Sequence, residues 1–119
     1  MQMMLAFSET PEECARRTDP EQAGPYWAGW ISFMGEMQKA GVLQSGNGLQ
    51  APHTATVVRV ADGRTLVQDG PYPDAKEALG GYAILEVPDL ETAIAWAAKA
   101  PCAAAGSVEI RPVLPPPAA

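Results

Sequence analysis

Apolar side chains recur at helical spacing in the first third of the chain, and this stripe predicts an α-helix over residues 25–39. Pro25 suits the first turn of a helix, and Gly41 suits the position just past its end. The stripe repeats at intervals of three and four residues and comprises Tyr26, Trp30, Phe33, Met34 and Met37. A helix with one such face must pack it against another element.

Several other segments show the β-branched, alternating pattern of strands. Strands are predicted over residues 2–8, 42–49, 54–61, 64–68, 81–87 and 107–112, the second of them short and irregular. Asp62 and Gly63 separate two of these runs, and such a dipeptide is a strong hairpin signal. Asp89 can cap a second helix over residues 90–99. Residues 9–24 are rich in turn formers and predict a loop with at most one short helical turn, around residues 11–17.

The order of these elements predicts an α+β fold. Strand, helix, strand, hairpin strands, strand, helix and strand correspond to a ferredoxin-like βαββ(β)αβ sandwich. The two helices would cover one face of an antiparallel sheet and leave the other face open. Closing the open face by dimerisation is the economical solution, so we expect a second copy of the chain as partner.

The bulk properties narrow the class of protein. A chain of 119 residues suffices for one domain with a core. We predict a single domain over residues 1–113 and a flexible Pro/Ala tail over residues 114–119.

A net charge of −6 with only 8 Lys and Arg argues against nucleic-acid binding. No stretch approaches the ~18–20 apolar residues of a membrane span. The apolar opening segment is too short for a signal peptide, so a cytoplasmic location is expected.

The cysteine and histidine content argues against a metal centre or a disulfide framework. Cys14 and Cys102 are far apart in the sequence and form no Cys-x-x-Cys pair, so we interpret them as reduced thiols. His53 is the sole histidine, which leaves no second one for a metal site of ordinary spacing. Neither a metal nor a cofactor is therefore expected.

Strand alternation places several charged side chains on the predicted open face of the sheet. They are Arg59, Glu86, Glu109 and Arg111. One interpretation is a solvated surface or a set of interface ion pairs. The other is a polar ligand cavity, in which Arg59 or Arg111 would hold an anion.

Two residues are candidates for acid/base catalysis. His53 precedes a predicted strand, and histidine is the side chain that most readily exchanges a proton near neutral pH. The alternative for His53 is an exposed loop residue. Asp69 enters the Gly70-Pro71 turn, where its carboxylate could serve as a base or hydrogen-bond acceptor at a cavity rim. Equally, it could accept local backbone hydrogen bonds, as Asp does in turns.

The loop that follows Asp69 combines turn signals with charged side chains. Tyr72 could form the wall of a pocket or simply pack, and Lys76 could meet an anionic ligand or remain solvated. A single helical turn is predicted near Lys76 and Glu77. The paired glycines Gly80 and Gly81 would then lead the chain into the next strand.

A set of short motifs, in this order and spacing, resembles the YCII-related family and specifically its DGPF-type branch. They are Ala40-Gly41-Val42-Leu43, Gly46-Asn47-Gly48-Leu49, Asp69-Gly70-Pro71-Tyr72, Lys76-Glu77, Gly80-Gly81-Tyr82 and Gly106-Ser107-Val108-Glu109-Ile110-Arg111-Pro112. The resemblance spans nearly the whole chain. Tyr72 stands where the naming motif usually has Phe.

The resemblance implies a dimeric α/β-barrel, in which two ferredoxin-like sheets face each other around a central cleft. An enzymatic role has been suggested for YciI-type relatives from a His–Asp pair. Of that pair, Asp69 alone matches a motif position here, because Trp27 and Trp30 occupy the first helix instead of a histidine. DGPF-type proteins also resemble partners encoded beside certain alternative sigma factors.

Two hypotheses follow for function. In the first, a homodimer binds a small polar or aromatic molecule in the inter-sheet cleft, with Asp69 as acid/base or anchor and acid/base catalysis as an extension. In the second, the chain is a non-enzymatic accessory or regulatory protein associated with an alternative sigma factor. A pocket flanked by Asp69 would favour the first hypothesis, and a filled cleft the second.

Overall fold

A computed structural model describes residues 1–70 and 76–117 of the chain. Its strands are β1 (Gln2–Glu9), β2 (Leu43–Gly48), β3 (Thr56–Ala61), β4 (Arg64–Asp69), β5 (Ala78–Glu86) and β6 (Ser107–Pro112). Its α-helices are α1 (Pro11–Ala15), α2 (Ala23–Lys39) and α3 (Leu90–Ala97), and short 3₁₀ turns cover Arg16–Thr18 and Pro52–Thr54.

The main sheet is antiparallel, with the strand order β2-β5-β1-β6. This order, with α2 after β1 and α3 after β5, is the ferredoxin-like α+β arrangement, so the predicted fold class is confirmed. Both long helices lie on one face, where they pack on β1 and β5. The core between them is built mainly from Met3, Leu5, Phe7, Phe33, Met37, Ala83, Leu85, Val87, Ala93 and Ala97.

Helix α2 matches its predicted apolar stripe. Phe33 and Met37 are buried, and Trp30 and Met34 pack against the core. The helix begins at Ala23, two residues before the predicted start, and its last residue is the predicted one, Lys39.

Helix α3 is capped by Asp89 as predicted. Its Oδ1 accepts hydrogen bonds from the Thr92 hydroxyl at 2.6 Å and the Thr92 backbone N–H at 2.8 Å, and these bonds lower the pKa of Asp89. Leu90 and Ile94 on this helix are about half exposed. Ala93 and Ala97 face the sheet instead, and small side chains let the helix approach it closely.

Strands β3 and β4 form the predicted hairpin, but they pair only with each other and make a second, two-stranded sheet. The turn places Asp62 and Gly63 at positive φ, as an Asp-Gly hairpin turn requires. The chain measures 53 × 47 × 18 Å with a radius of gyration of 16.3 Å. A compact chain of this length would have a radius of gyration of about 13.5 Å, so this chain is more extended than a compact one.

Strand β5 begins earlier than predicted and includes both glycines. Lys76 and Glu77 form a bend before it rather than a helical turn. A Cβ on Gly81 would lie 2.9 Å from the Asn47 carbonyl oxygen, so the two strands approach where only glycine fits. After β6, the backbone N–H of Val113 donates to the carbonyl of Gln2 at 2.9 Å.

Candidate functional site

A groove of about 1390 Å³ lies between α2 and the segment 47–54. The end of β1 and the start of β5 form its floor, and the 3₁₀ turn Pro52–Thr54 forms part of its far wall. At one end it reaches Asn47 and Tyr82, which pair across β2 and β5 on the sheet face away from the helices. The groove is larger than the roughly 300–1,000 Å³ typical of small-molecule sites.

Glu9 lies in the floor of this groove. Alternation along β1 puts Glu9 on the same face as Met3, Leu5 and Phe7, so its carboxylate points toward the helix layer. Only 4% of Glu9 is exposed. Because a buried carboxylate is costly unless it is paired and hydrogen-bonded, its partners define the site.

Arg17 is the cationic partner of Glu9. Its Nη2 lies 2.7 Å from Glu9 Oε1, and the two side chains are only 11% and 3% exposed. Arg17 follows α1 in a 3₁₀ turn, which carries its side chain back across the end of β1. The guanidinium also donates from Nη1 to the Leu49 carbonyl at 2.6 Å and from Nη2 to the Gly80 carbonyl at 3.2 Å.

Tyr26, in the first turns of α2, completes a three-residue cluster. Its hydroxyl donates to Glu9 Oε2 and accepts from Arg17 Nε at 3.0 Å. Burial, together with the hydrogen bond to the Glu9 carboxylate, raises the pKa of Tyr26 far above its ordinary value. The phenol therefore keeps its proton over the whole physiological range.

The charge of Arg17 is also secured by the cluster. Burial by itself would lower the pKa of Arg17, but the Tyr26 hydrogen bond and the Glu9 charge outweigh it and raise the pKa. The guanidinium uses four of its five N–H donors on the protein acceptors Tyr26, Leu49, Glu9 and Gly80. Among the described residues the second Nη1 hydrogen has no acceptor.

A β-bulge holds the Arg17 acceptors in place. Phe7 pairs with Gly81 but Ser8 pairs with Leu79, which leaves Gly80 as the extra residue of β5. The Gly80 carbonyl accepts from both Arg17 and the Leu49 N–H. A Cβ at Gly80 would lie 2.8 Å from Arg17 Nη2 and 2.9 Å from Glu9 Oε1, so the cluster requires glycine there.

Aromatic rings form the helix side of the groove. The Trp27 ring lies 5.6 Å from the Arg17 guanidinium carbon, and its Nε1 donates to the Arg17 carbonyl at 3.2 Å. Trp30 packs edge-on against Phe7 with ring centroids 5.0 Å apart. The buried Nε1 of Trp30 has no hydrogen-bond partner within residues 1–70 and 76–117.

The structure brings one of the sequence-predicted site residues to this groove. His53 is exposed in the Pro52–Thr54 turn and lines the groove wall. Asp69 is exposed at the end of β4 and is not among the described residues that line the groove. Lys76 is exposed in the bend before β5. Tyr72 lies outside the described residues.

The two predicted anion-holding arginines lie in different sheets of the fold. Arg59 lies in the separate hairpin, so its predicted place on the open face of the main sheet is wrong. Arg111 does lie on that face, opposite Met4, with Glu86 and Glu109 on the same face as predicted. Its contact with Glu109, at 3.8 Å, is between two side chains that are more than 60% exposed.

The sequence interpretation missed the residues that form the cluster. Glu9 was predicted to lie in a loop after β1, although it continues the buried alternation of that strand. A carboxylate in phase with Met3, Leu5 and Phe7 was the available signal. Arg17 carried no comparable signal, because its contact with Gly80 depends on a bulge that periodicity does not predict. Tyr26 was predicted only as part of the apolar stripe of α2.

Within the described part of the chain, no group of three or more His, Cys, Asp or Glu side chains could hold a metal ion. The same residues contain no helix long and apolar enough to cross a membrane.

Comparison with known proteins identifies the family. The model of the YCII-related domain matches residues 1–116. The chain belongs to the YCII-related family. A search of curated proteins found no match.

A solved structure shares the fold of this YCII-related chain over nearly its whole length. It is the 5-chloro-2-hydroxyhydroquinone dehydrochlorinase from Burkholderia phenoliruptrix AC1100, determined in complex with 2,5-dihydroxybenzoquinone. The match covers 96% of this chain and 94% of the other, with a TM-score of 0.52 and 13% sequence identity. At that identity the likeness concerns the fold.

Proposed function

We propose that this YCII-related protein is a homodimer that binds a small planar molecule carrying an acidic oxygen. The binding site is the groove between α2 and the segment 47–54. The observation that carries the proposal is the Arg17 guanidinium, with an 11% exposed side chain and one N–H donor that no described residue uses, beside the exposed Trp27 ring in a groove of about 1390 Å³.

The aromatic walls favour a flat ligand. Trp27 lines the groove with 43% of its surface exposed, which is unusual for so large an apolar side chain. A ring stacked on Trp27 would cover this surface. The dehydrochlorinase of the same fold was determined with a quinone ring bound, which supports the proposed ligand class.

Arg17 favours an acidic oxygen on that ring. Its charge is held by Glu9 and Tyr26, and its fork geometry is already fixed, so an oxyanion would bind without reorganising it. Specificity would follow from the same geometry, because a neutral group of the same shape gains no charge-assisted bond.

We also propose that the chain belongs to the DGPF-type branch, because Asp69, Gly70, Pro71 and Tyr72 reproduce the naming motif with one aromatic exchange. Any acid/base step on the ligand is assigned to His53, since it lines the groove and imidazole exchanges a proton near neutral pH.

Isothermal titration calorimetry with a matched pair of probes tests the site. We expect 4-hydroxybenzoate to bind at least about tenfold more tightly than 4-hydroxybenzamide, since one charge-assisted hydrogen bond contributes about 1.5–3 kcal/mol. Equal affinities would contradict the role of Arg17. Absence of binding by both probes and by 2,5-dihydroxybenzoquinone would contradict the proposed function.

Two tryptophan variants supply the control. Trp27→Leu should weaken 4-hydroxybenzoate binding by about tenfold, because roughly 1 kcal/mol or more of ring contact is lost. Trp96→Leu, in α3 and outside the groove lining, should leave affinity unchanged. Light scattering on the wild-type protein should give the mass of a dimer.

A further inference from the structure

The hairpin has one apolar face. Residues directly opposite each other in an antiparallel pair share a face, and Val58 is opposite Val67. We call this surface the valine face, and it comprises Thr56, Val58, Val60, Thr65, Val67 and Asp69. Its three valines are between 59% and 71% exposed.

A two-stranded ribbon of this kind needs something to pack against. Isolated hairpins are marginally stable in water, and independent stability requires more strands or a covering element. Every residue of β3 and β4 except Val57 is exposed, so the described residues of the same chain provide no cover. The described residues of the chain therefore leave the valine face uncovered.

The groove rim is a second uncovered apolar surface. Four groove-lining side chains, between 39% and 72% exposed, form it: Trp27, Ile31, Leu49 and Leu79. Each copy of the chain thus carries an apolar ribbon and an open apolar groove.

The hairpin lies outside the groove of its own chain. Its base is held by the Gly70 N–H, which donates to the Ala55 carbonyl at 2.7 Å, directly beside the groove wall. No residue of β3 or β4 is among the residues that line that groove.

We propose that the valine face of each protomer covers the groove of a second copy, and that the two contacts form reciprocally in a two-fold dimer. This inference rests on the dimer and the groove of the proposed function. It makes the ligand site composite, with floor and walls from one chain and roof from the other.

The area is sufficient for a stable dimer. The exposed parts of the three valines together amount to about two whole side chains, or roughly 200 Å² of apolar surface. The exposed parts of the four rim residues together amount to about the same area. Two reciprocal contacts then bury roughly 800 Å² of apolar area. Since about 60% of the area of an interface is apolar, the total buried area of the interface is roughly 1,300 Å². Stable, specific interfaces bury about 1,200–2,000 Å².

The same contact brings the family signature to the site. Asp69 lies on the valine face at the base of the hairpin. It would therefore reach the rim of the partner's groove, although it does not line the groove of its own chain. The Asp69 carboxylate and the His53 imidazole would then meet across the dimer.

Site-directed disulfide formation tests this arrangement. In a Cys14→Ser background, equal amounts of a Val58→Cys variant and an Ile31→Cys variant are mixed, left to exchange subunits and oxidised. We expect a covalent dimer in the mixture at several times the yield of either variant alone. Its reduction should restore the single chain on a denaturing gel.

A matched pair distinguishes the groove from the open sheet face. Val58→Cys mixed with Arg111→Cys should give no more covalent dimer than the single variants, because Arg111 is on the sheet face away from the helices. A dimer by light scattering that cross-links through Arg111→Cys, or through neither pair, would overturn this inference. Probe binding measured on the same proteins tests the groove itself, so the two failures are distinguishable.

Discussion

Two glutamate–arginine pairs of this protein have the same chemistry and opposite environments. Glu9 and Arg17 lie 2.7 Å apart and are 3% and 11% exposed, whereas Glu109 and Arg111 lie 3.8 Å apart and are 64% and 69% exposed. The buried pair is held by Tyr26 and by two backbone carbonyls. The comparison teaches that a charged pair organises a site only where burial removes the competing water.

The largest expected effect comes from breaking the buried pair. Glu9→Gln should lower the free energy of unfolding by about 3 kcal/mol, because Arg17 loses its counter-charge while the amide oxygen still accepts one bond. Glu109→Gln is the matched control, and its effect should stay within about 0.5 kcal/mol. Urea denaturation of both variants measures the difference, and equal effects would contradict the comparison.

The bulge gives a second, smaller test. Gly80→Ala should destabilise the protein by about 2 kcal/mol, since the new methyl group would meet Arg17 Nη2 and Glu9 Oε1, whose positions the buried pair fixes. Gly35→Ala in α2 is the control, because a Cβ there has nothing within 4 Å. It should stabilise the protein by about 0.5–1 kcal/mol. A neutral Gly80→Ala would mean that the cluster shifts at little cost.

The third test sharpens the role of the phenol. Tyr26→Phe leaves Glu9 Oε2 without its hydrogen-bond donor and should cost about 1–2 kcal/mol at neutral pH. Since the folded-state pKa of Tyr26 is raised, its contribution is complete below the unfolded value near 10. It is lost as the pH rises from about 10 toward the folded value. The free energy of unfolding, measured by denaturation at pH 7 to 11, should therefore fall more steeply with rising pH for wild type than for the variant.

The sequence predicted the architecture because burial there repeats with a period. The stripe of α2, the Asp-Gly hairpin and the Asp89 cap are local signals, and each appears in the structure close to its predicted position. The site was predicted less well, because the residues that form it meet through long-range pairing. Arg17 contacts Gly80 across 63 positions of the chain, and no spacing rule connects them.

The hairpin shows the same limit of prediction from sequence periodicity. Its strands and turn were predicted, yet its strands were placed in the main sheet, and Arg59 was placed with them on the open face. Alternation along a strand identifies the two faces of a hairpin, but it does not identify the part of the fold against which the hairpin packs. That choice depends on tertiary pairing.

The contact between Arg17 and Gly80 also has a consequence for the order in which the molecule assembles. The guanidinium can dock only after β5 has paired with β1 and formed its bulge, which requires closure of a loop of more than sixty residues. Contacts of such sequence separation form slowly compared with local ones. The first turns of α2 and the hairpin can form before then, but the charged cluster cannot. Binding competence would therefore be the last property acquired on the folding pathway, and a partly folded chain would have helices without a site.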